Sequence, residues 1–217
     1  YLPDAMVNYL VRLGWSHGDQ ELFTRQELID KFSWKNVQSS AAVFNPEKLL
    51  WINAEYIKNS PPTQVAQALV PLLEAAGLKD EVQAISAGWL EQLVVLVKER
   101  AKTLVEMVDW VKPYLGQTVT FDEEAAKKLL TPTIAPILGK LLARFEVFPA
   151  FSKQQWEEAF KQLVEEEGIK MGQLAQPVRV ALTGRTASPG LFDVMEVLGR
   201  DRTLFRLRQG IERASHA

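Results

Sequence analysis

Apolar residues recur at helical spacing along almost the whole chain. In the first segment, for example, Met6, Tyr9, Leu10 and Leu13 lie on one helix face. No segment shows the strict apolar and polar alternation that is typical of a half-buried strand. With 217 residues, 47% of them hydrophobic, the chain can bury a substantial core. We therefore predict an all-α fold of two to three small helical bundles in series.

Capping residues predict where several of these helices begin. Thr24 and Glu27 have the spacing of a capping box, and Asn45 followed by Pro46 is typical of a helix start. Because apolar positions continue at helical spacing after Gly88, we predict one long helix over residues 88–113.

Two further helix starts are predicted in the last third of the chain. Ser152 and Gln155 have the spacing of another capping box, and Ser188 followed by Pro189 predicts a helix capped by the serine. A last, arginine-rich helix is expected after the break at Gly199.

Two proline-containing stretches interrupt the helical pattern and predict domain boundaries. Residues 58–62 (KNSPP) cannot continue a helix, and residues 146–152 (EVFPAFS) break the pattern again. These breaks predict three parts, which are residues 1–59, 60–148 and 149–217.

Composition excludes several classes of function. The chain has no cysteine, so disulfides and thiolate chemistry are excluded, and its two histidines, His17 and His216, cannot supply a multi-histidine metal site. The sequence contains no phosphate-binding glycine loop and no apolar run long enough to span a bilayer. We therefore expect no metal site, no membrane partner and a cytoplasmic location.

The C-terminal part is basic although the whole chain is slightly acidic. Residues 168–217 carry eight Lys or Arg and four Asp or Glu, a net charge of +4, whereas the remainder carries −6. A locally basic surface can attract phosphate, although an arginine-rich solvated helix face would show the same composition. By charge alone, the possible phosphate contacts are Lys170, Arg185, Arg200, Arg206 and Arg208.

The stretch SPGLF, residues 188–192, combines a helix start with a flexible glycine. Backbone N–H groups at a helix start can bind a phosphate or a base edge, but a well-capped helix without a ligand would show the same residues. Arg100 is similarly open to two interpretations, a binding residue or an ordinary surface charge between Lys98 and Lys102.

Four stretches together resemble successive signatures of the bacterial glutamyl-tRNA synthetase family, a class I family. They occur in the family's order and cover the chain from Tyr1 to about Ala214: YLPDAMVNYLVRLGWSHGDQELFTRQEL, AVFNPEKLLWINAEYI, VKERAKTL and PVRVALTGRTASPGLFDVMEVLGRDR. The resemblance implies the end of a stem-contact region followed by two helical anticodon-binding subdomains. The class I signatures of the catalytic domain are absent, so the chain alone is not expected to be active. ATP and Mg²⁺ would bind to that domain, with no cofactor in this chain.

The resemblance also implies a tRNA-binding site. Arg179, Ser188, Pro189 and Leu191 match the family positions that contact the first two anticodon bases. Arg100 matches the arginine associated with the third base, which is cytosine in glutamate tRNA and guanine in glutamine tRNA. The implied partner is therefore tRNA(Glu), bound by a monomer, with no DNA partner.

A helical protein-interaction module without RNA contact is the alternative interpretation. An independent enzyme is disfavoured because the sequence offers no nucleophile with a base and no metal ligand set. Salt separates the two remaining hypotheses, since binding through phosphate weakens steeply as salt is added.

Overall fold

The computed structural model describes residues 1–38 and 43–216. Within these ranges the chain is helical. One isolated β-bridge joins Trp15 and Val37, and no β-strand is formed in the described residues. The predicted all-α fold is confirmed. The α-helices of the described ranges are α1 Pro3–Arg12, α2 Arg25–Lys31, α3 Pro46–Asn59, α4 Pro62–Ala75, α5 Lys79–Gln83, α6 Ala87–Val97, α7 Leu104–Leu115, α8 Glu123–Leu129, α9 Ala135–Val147, α10 Lys153–Glu167, α11 Met171–Thr183 and α12 Leu191–Ser215. Gly199 interrupts α12 with a non-helical backbone (φ 72°, ψ 177°), so the break predicted there is confirmed.

The chain divides into two compact units, residues 1–111 and 112–217, with the division inside α7. The finer three-part division by sequence stays a prediction. No helix in the described part of the chain has both the length and the apolar character needed to cross a bilayer.

In the first unit, α1 packs on α3, and α4 packs on α5 and α6. Trp15, Phe23 and Leu28 form a buried cluster beside α1 and α2. The fully buried amide of Asn53 in α3 accepts a hydrogen bond from Leu2 N (2.8 Å) and donates one to Lys102 O (2.6 Å). Asn53 thus joins the start of α1 and the loop before α7 to α3 through hydrogen bonds.

In the second unit, α12 packs on α9 and α11, and α10 packs on α9. Buried aromatic side chains from α9 and α10, including Phe145, Trp156 and Phe160, occupy the space between these helices. Burial of these large apolar side chains is the main stabilising contribution to such a bundle. It fixes α11 and the beginning of α12, which carry the predicted site residues Arg179 and Leu191 on either side of the loop with Ser188 and Pro189.

The predicted long helix over residues 88–113 is wrong, because the structure breaks it after α6. A 3₁₀ turn, Lys98–Arg100, follows α6, and Ala101 is extended with φ −114° and ψ 131°. Thr103 Oγ1 then accepts a hydrogen bond from Glu106 N (3.1 Å), and the Glu106 carboxylate accepts one from Lys102 N (2.8 Å). These side chains satisfy main-chain donors at the start of α7, which stabilises a new helix rather than a continued one.

The predicted caps have mixed outcomes. The Thr24 and Glu27 capping box is present, and Asn45 accepts a hydrogen bond from Lys48 N. Ser152 is at the predicted N-cap position but its side chain makes no capping bond. The predicted helix start at Ser188 is wrong, because α12 begins at Leu191 after an extended Gly190.

Candidate nucleic-acid interface

Three of the predicted anticodon-binding residues meet at the loop between α11 and α12. Arg179, on α11, donates through Nη1 to the Ser188 hydroxyl and to the Pro189 carbonyl oxygen at 2.6 Å. Ser188 Oγ also lies 2.9 Å from that carbonyl oxygen. Leu191 is buried at the first position of α12. The loop therefore places a guanidinium, a hydroxyl and a carbonyl oxygen beside an apolar side chain.

Thr183 and Gly184 hold this loop in place. Thr183 Oγ1 donates to Arg179 O (2.8 Å) and accepts from Arg185 N (3.3 Å). Gly184 ends α11 in the left-handed conformation (φ 73°), and its carbonyl accepts from Asp122 N at 2.9 Å. A Cβ at this position would overlap the carbonyl oxygen of Thr120. The position thus requires glycine for two reasons, and the Thr-Gly pair is the sequence signal for it.

Two carboxylates in the first turns of α12 are paired with a single lysine of α10. Lys153 Nζ lies 2.8 Å from Asp193 and 2.9 Å from Glu196. Hydrogen bonds to Asp193 and then Glu196 raise the pKa of Lys153, so the ammonium stays charged. Because unpaired carboxylates would repel RNA, this pairing lowers the negative field near the start of α12.

Arg100 belongs to the first unit and lies at the break between α6 and α7. Its side chain is exposed, and its guanidinium carbon lies 5.5 Å from the ring centroid of Trp110 on α7. Sequence reasoning missed Trp110, because a tryptophan at helical spacing is usually a core residue.

Lys170 and Arg185, two of the predicted phosphate contacts, are exposed on either side of α11. Lys170 immediately precedes α11, where its backbone N–H donates to Gln173 Oε1 at 2.8 Å. Arg185 follows Gly184 at the other end of the helix. Both side chains are accessible enough for a phosphate contact.

Arg200 and Arg208 contact the C-terminal end of α9. Arg200 donates to the carbonyl oxygens of Phe148, Phe145 and Glu146, the shortest distance being 2.6 Å. Arg208 is exposed and forms an ion pair with the Glu146 carboxylate at 2.6 Å. Arg200 thus satisfies main-chain acceptors at a helix end, a structural function.

Arg206 is fully buried, which does not fit the expectation of a phosphate contact. Its guanidinium donates to the carbonyl oxygens of Pro113 (2.8 Å), Leu182 (2.6 Å), Tyr114 (3.2 Å) and Gly116 (2.5 Å). Burial, with a smaller contribution from Arg202, lowers its pKa to about 10, so it remains a cation at neutral pH. The signal was its position on the same helix face as buried Thr203 and Gly210.

The acidic stretches of the second unit form caps and ion pairs. Asp122 caps α8 by accepting a hydrogen bond from Ala125 N, and Glu123 pairs with Arg213. Glu166 and Glu167 pair with Arg144 and Lys140. Across residues 1–38 and 43–216, no group of three or more candidate side chains is arranged to hold a metal ion.

Two family models match the chain in adjoining parts. Residues 64–211 match the family described as "Anticodon binding domain". Residues 1–51 match "tRNA synthetases class I (E and Q), catalytic domain". Residues 52–63 lie between the two matches.

Relatives in curated sequences and in solved structures agree with these matches. The glutamate–tRNA ligase of Geobacter sulfurreducens is 49% identical over 97% of this chain, and that of Syntrophobacter fumaroxidans is 47% identical over 97%. The chain spans 44% of the length of each of them, which is less than half.

A crystal structure of a glutamate tRNA ligase from Elizabethkingia meningosepticum, described as in complex with its amino acid, superposes with a TM-score of 0.82. It is 28% identical, and the match covers 98% of this chain and 41% of that one. The chain therefore belongs to the anticodon binding domain family, and its relatives named above are glutamate–tRNA ligases.

Proposed function

We propose that this chain is the anticodon-recognising part of a glutamate–tRNA ligase and that its partner is tRNA(Glu). The observation that carries the proposal is the grouping of Arg179, Ser188 and Pro189 at the α11–α12 loop, in a region matched by the anticodon-binding family. Loop bases of tRNA are unstacked, so that their Watson–Crick edges are accessible to protein groups of this kind.

The chemistry of this loop suits a pyrimidine such as uridine. The Watson–Crick edge of uridine has one N–H donor between two carbonyl acceptors. Arg179 has N–H donors, and the Ser188 hydroxyl and the Pro189 carbonyl have acceptors; because these groups bond to one another in the structure, a base would bind by replacing some of those bonds. Leu191, which is buried at the first position of α12, is assigned to this site through the resemblance. We assign the first two anticodon bases to these four residues, and the third base to Arg100.

The remaining parts of the proposal concern the whole ligase. ATP and Mg²⁺ would bind to its catalytic domain. In this chain only residues 1–51 match the family of that domain. The ligase would work in the cytoplasm as a monomer, attaching glutamate to tRNA, without a DNA or membrane partner. Lys170 and Arg185, both exposed, are the proposed phosphate contacts, one on either side of α11.

The experiment is a fluorescence-anisotropy titration of the chain with a glutamate-tRNA anticodon stem-loop and a copy whose second base is adenine. We expect preference for uridine of about ten- to a hundredfold, because a good base contact contributes about 1–3 kcal/mol. Arg179→Ala should remove most of this preference. Arg213→Ala is the matched control. Arg213 lies near the end of α12, outside the α11–α12 loop, and pairs with Glu123 of α8.

Equal binding of both loops by the unmodified chain would contradict base recognition at this loop. Absence of any binding, to the stem-loop and to intact tRNA(Glu), would favour the protein-interaction hypothesis instead.

A further inference from the structure

We propose that Trp110 is a positioning residue that holds Arg100 for recognition of the third anticodon base. The inference rests on the proposed function and adds a specificity-determining residue to it. Its starting observation is the guanidinium of Arg100 over the face of Trp110, at 5.5 Å from the ring centroid. This distance lies within the range of a cation–π contact.

Trp110 can serve as a fixed support because α7 itself is anchored. The indole is half-buried, nearly two turns into α7, and Met107 one turn before it and Val111 next to it in sequence are both buried. Only part of the indole therefore remains exposed, and Arg100 lies over it.

The main chain that carries Arg100 is anchored as well. Two residues after Arg100, the carbonyl of Lys102 accepts from buried Asn53 (2.6 Å) and its N–H donates to Glu106 (2.8 Å). Ala101, between them, is buried. The backbone is thus fixed at the residues that follow Arg100, and the contact with Trp110 restrains the long side chain.

Restraint of the side chain matters because base recognition depends on direction. An arginine fork that faces the two acceptors on the edge of cytosine, N3 and O2, favours cytosine over guanine, which presents donors there. A freely rotating guanidinium would still attract phosphate through its charge, but it would lose binding energy to order itself on the base. Loss of Trp110 should therefore lower discrimination and leave charge-dependent affinity almost unchanged.

The experiment compares stem-loops whose third anticodon base is cytosine or guanine. We expect the unmodified chain to prefer cytosine about ten- to a hundredfold and Arg100→Gln to lose this preference. Trp110→Leu should reduce the preference by about two- to fivefold, the size of an exposed cation–π contact, through weaker binding of the cytosine loop alone. Trp110→Phe keeps an aromatic face and should restore most of the preference.

Three further variants separate positioning from folding. Trp34→Leu is the matched control, because Trp34 is 83% exposed in the same unit. In the Arg100→Gln background, Trp110→Leu should have no additional effect on the ratio of the two affinities. If Trp110→Leu unfolds the chain, Trp110→Met is used in its place, because methionine keeps apolar volume without an aromatic face.

An unchanged preference in Trp110→Leu, or an equal loss of affinity for both loops, overturns the positioning function while Arg100 keeps its assignment. An unchanged preference in Arg100→Gln overturns the assignment of Arg100 and the positioning function together. The second-base result with Arg179 is independent of both outcomes, so it tests the proposed function separately.

Discussion

The arginines of the second unit bond to three kinds of acceptor, which are main-chain carbonyl oxygens, a carboxylate and a hydroxyl. Arg200 and Arg206 donate to main-chain carbonyl oxygens at helix ends, whereas Arg208 pairs with the exposed carboxylate of Glu146. Arg179 bonds to a hydroxyl and a carbonyl of the α11–α12 loop. The planar fork of arginine suits all these acceptors, so its presence alone does not distinguish structure from recognition.

At the residue scale, Gly184 offers a sharp test of the loop that carries Ser188 and Pro189. Gly184→Ala should destabilise the chain by about 2–4 kcal/mol, because it combines a left-handed backbone with overlap against Thr120 O. The measurement is urea unfolding followed by circular dichroism.

The matched control is Gly139→Ala in α9, where an added Cβ meets no atom within 4 Å. This substitution should stabilise the chain by about 0.5–1 kcal/mol, since alanine is the better helix former. The interpretation of Gly184 would be wrong if both alanine variants changed stability in the same direction.

At the scale of elements, one buried side chain connects the ends of two helices to a third. Arg206 of α12 donates to carbonyl oxygens at the C-terminal ends of α7 and α11. Nearby, Gly210 of α12 lies so close to Ala181 of α11 that a Cβ would overlap it. The C-terminal end of α11, and therefore the loop after it, is held by α12 in two ways.

Arg206→Met should consequently cost about 3 kcal/mol or more, because several carbonyl groups lose their donor within the bundle. Arg208→Met is the comparison, because Arg208 forms an exposed ion pair with Glu146. It should change the free energy of unfolding by at most about 1 kcal/mol. Thermal and urea unfolding of the two variants measure the difference. Equal effects would show that the buried bonds add no more than a surface pair does.

Helical periodicity predicted most elements, but it could not predict where one of them is interrupted. Apolar spacing continues from α6 into α7, so residues 88–113 resembled one helix, although the Thr103 and Glu106 cap begins a second one. Ser188 likewise resembled an N-cap, whereas the structure buries it against Arg179. In both cases a side-chain hydrogen bond formed in the folded chain decides the local structure, and spacing along the sequence does not contain that information.

At the scale of the whole molecule, net charge gives a poor description of the surface available to RNA. The basic C-terminal region includes arginines that bond within the protein, and the acids Asp193 and Glu196 are paired with Lys153. The candidate site residues were predicted from the family stretches, since they come from separate segments of the chain. Composition alone could not select Arg100 and Arg179 among 25 Lys and Arg residues.

Salt dependence tests which of these charges contact RNA. For single-stranded nucleic acid, the slope of log K against log salt is about −0.7 per phosphate contact. If Lys170 and Arg185 both contact phosphate, the double variant Lys170→Gln and Arg185→Gln should make the slope for the anticodon stem-loop less steep by about 1.4. The cytosine preference set by Arg100 should persist, because that contact is to a base edge.

The control is Lys127→Gln with Lys128→Gln, which removes the same charge from exposed positions at the end of α8. If the slope follows only total charge, both double variants will change it equally, and the two proposed phosphate contacts would then be wrong. A change confined to Lys170 and Arg185 would instead place the RNA backbone beside α11, next to the loop that carries Ser188 and Pro189. The two measurements together, slope and base preference, separate attraction of the phosphate backbone from recognition of the bases.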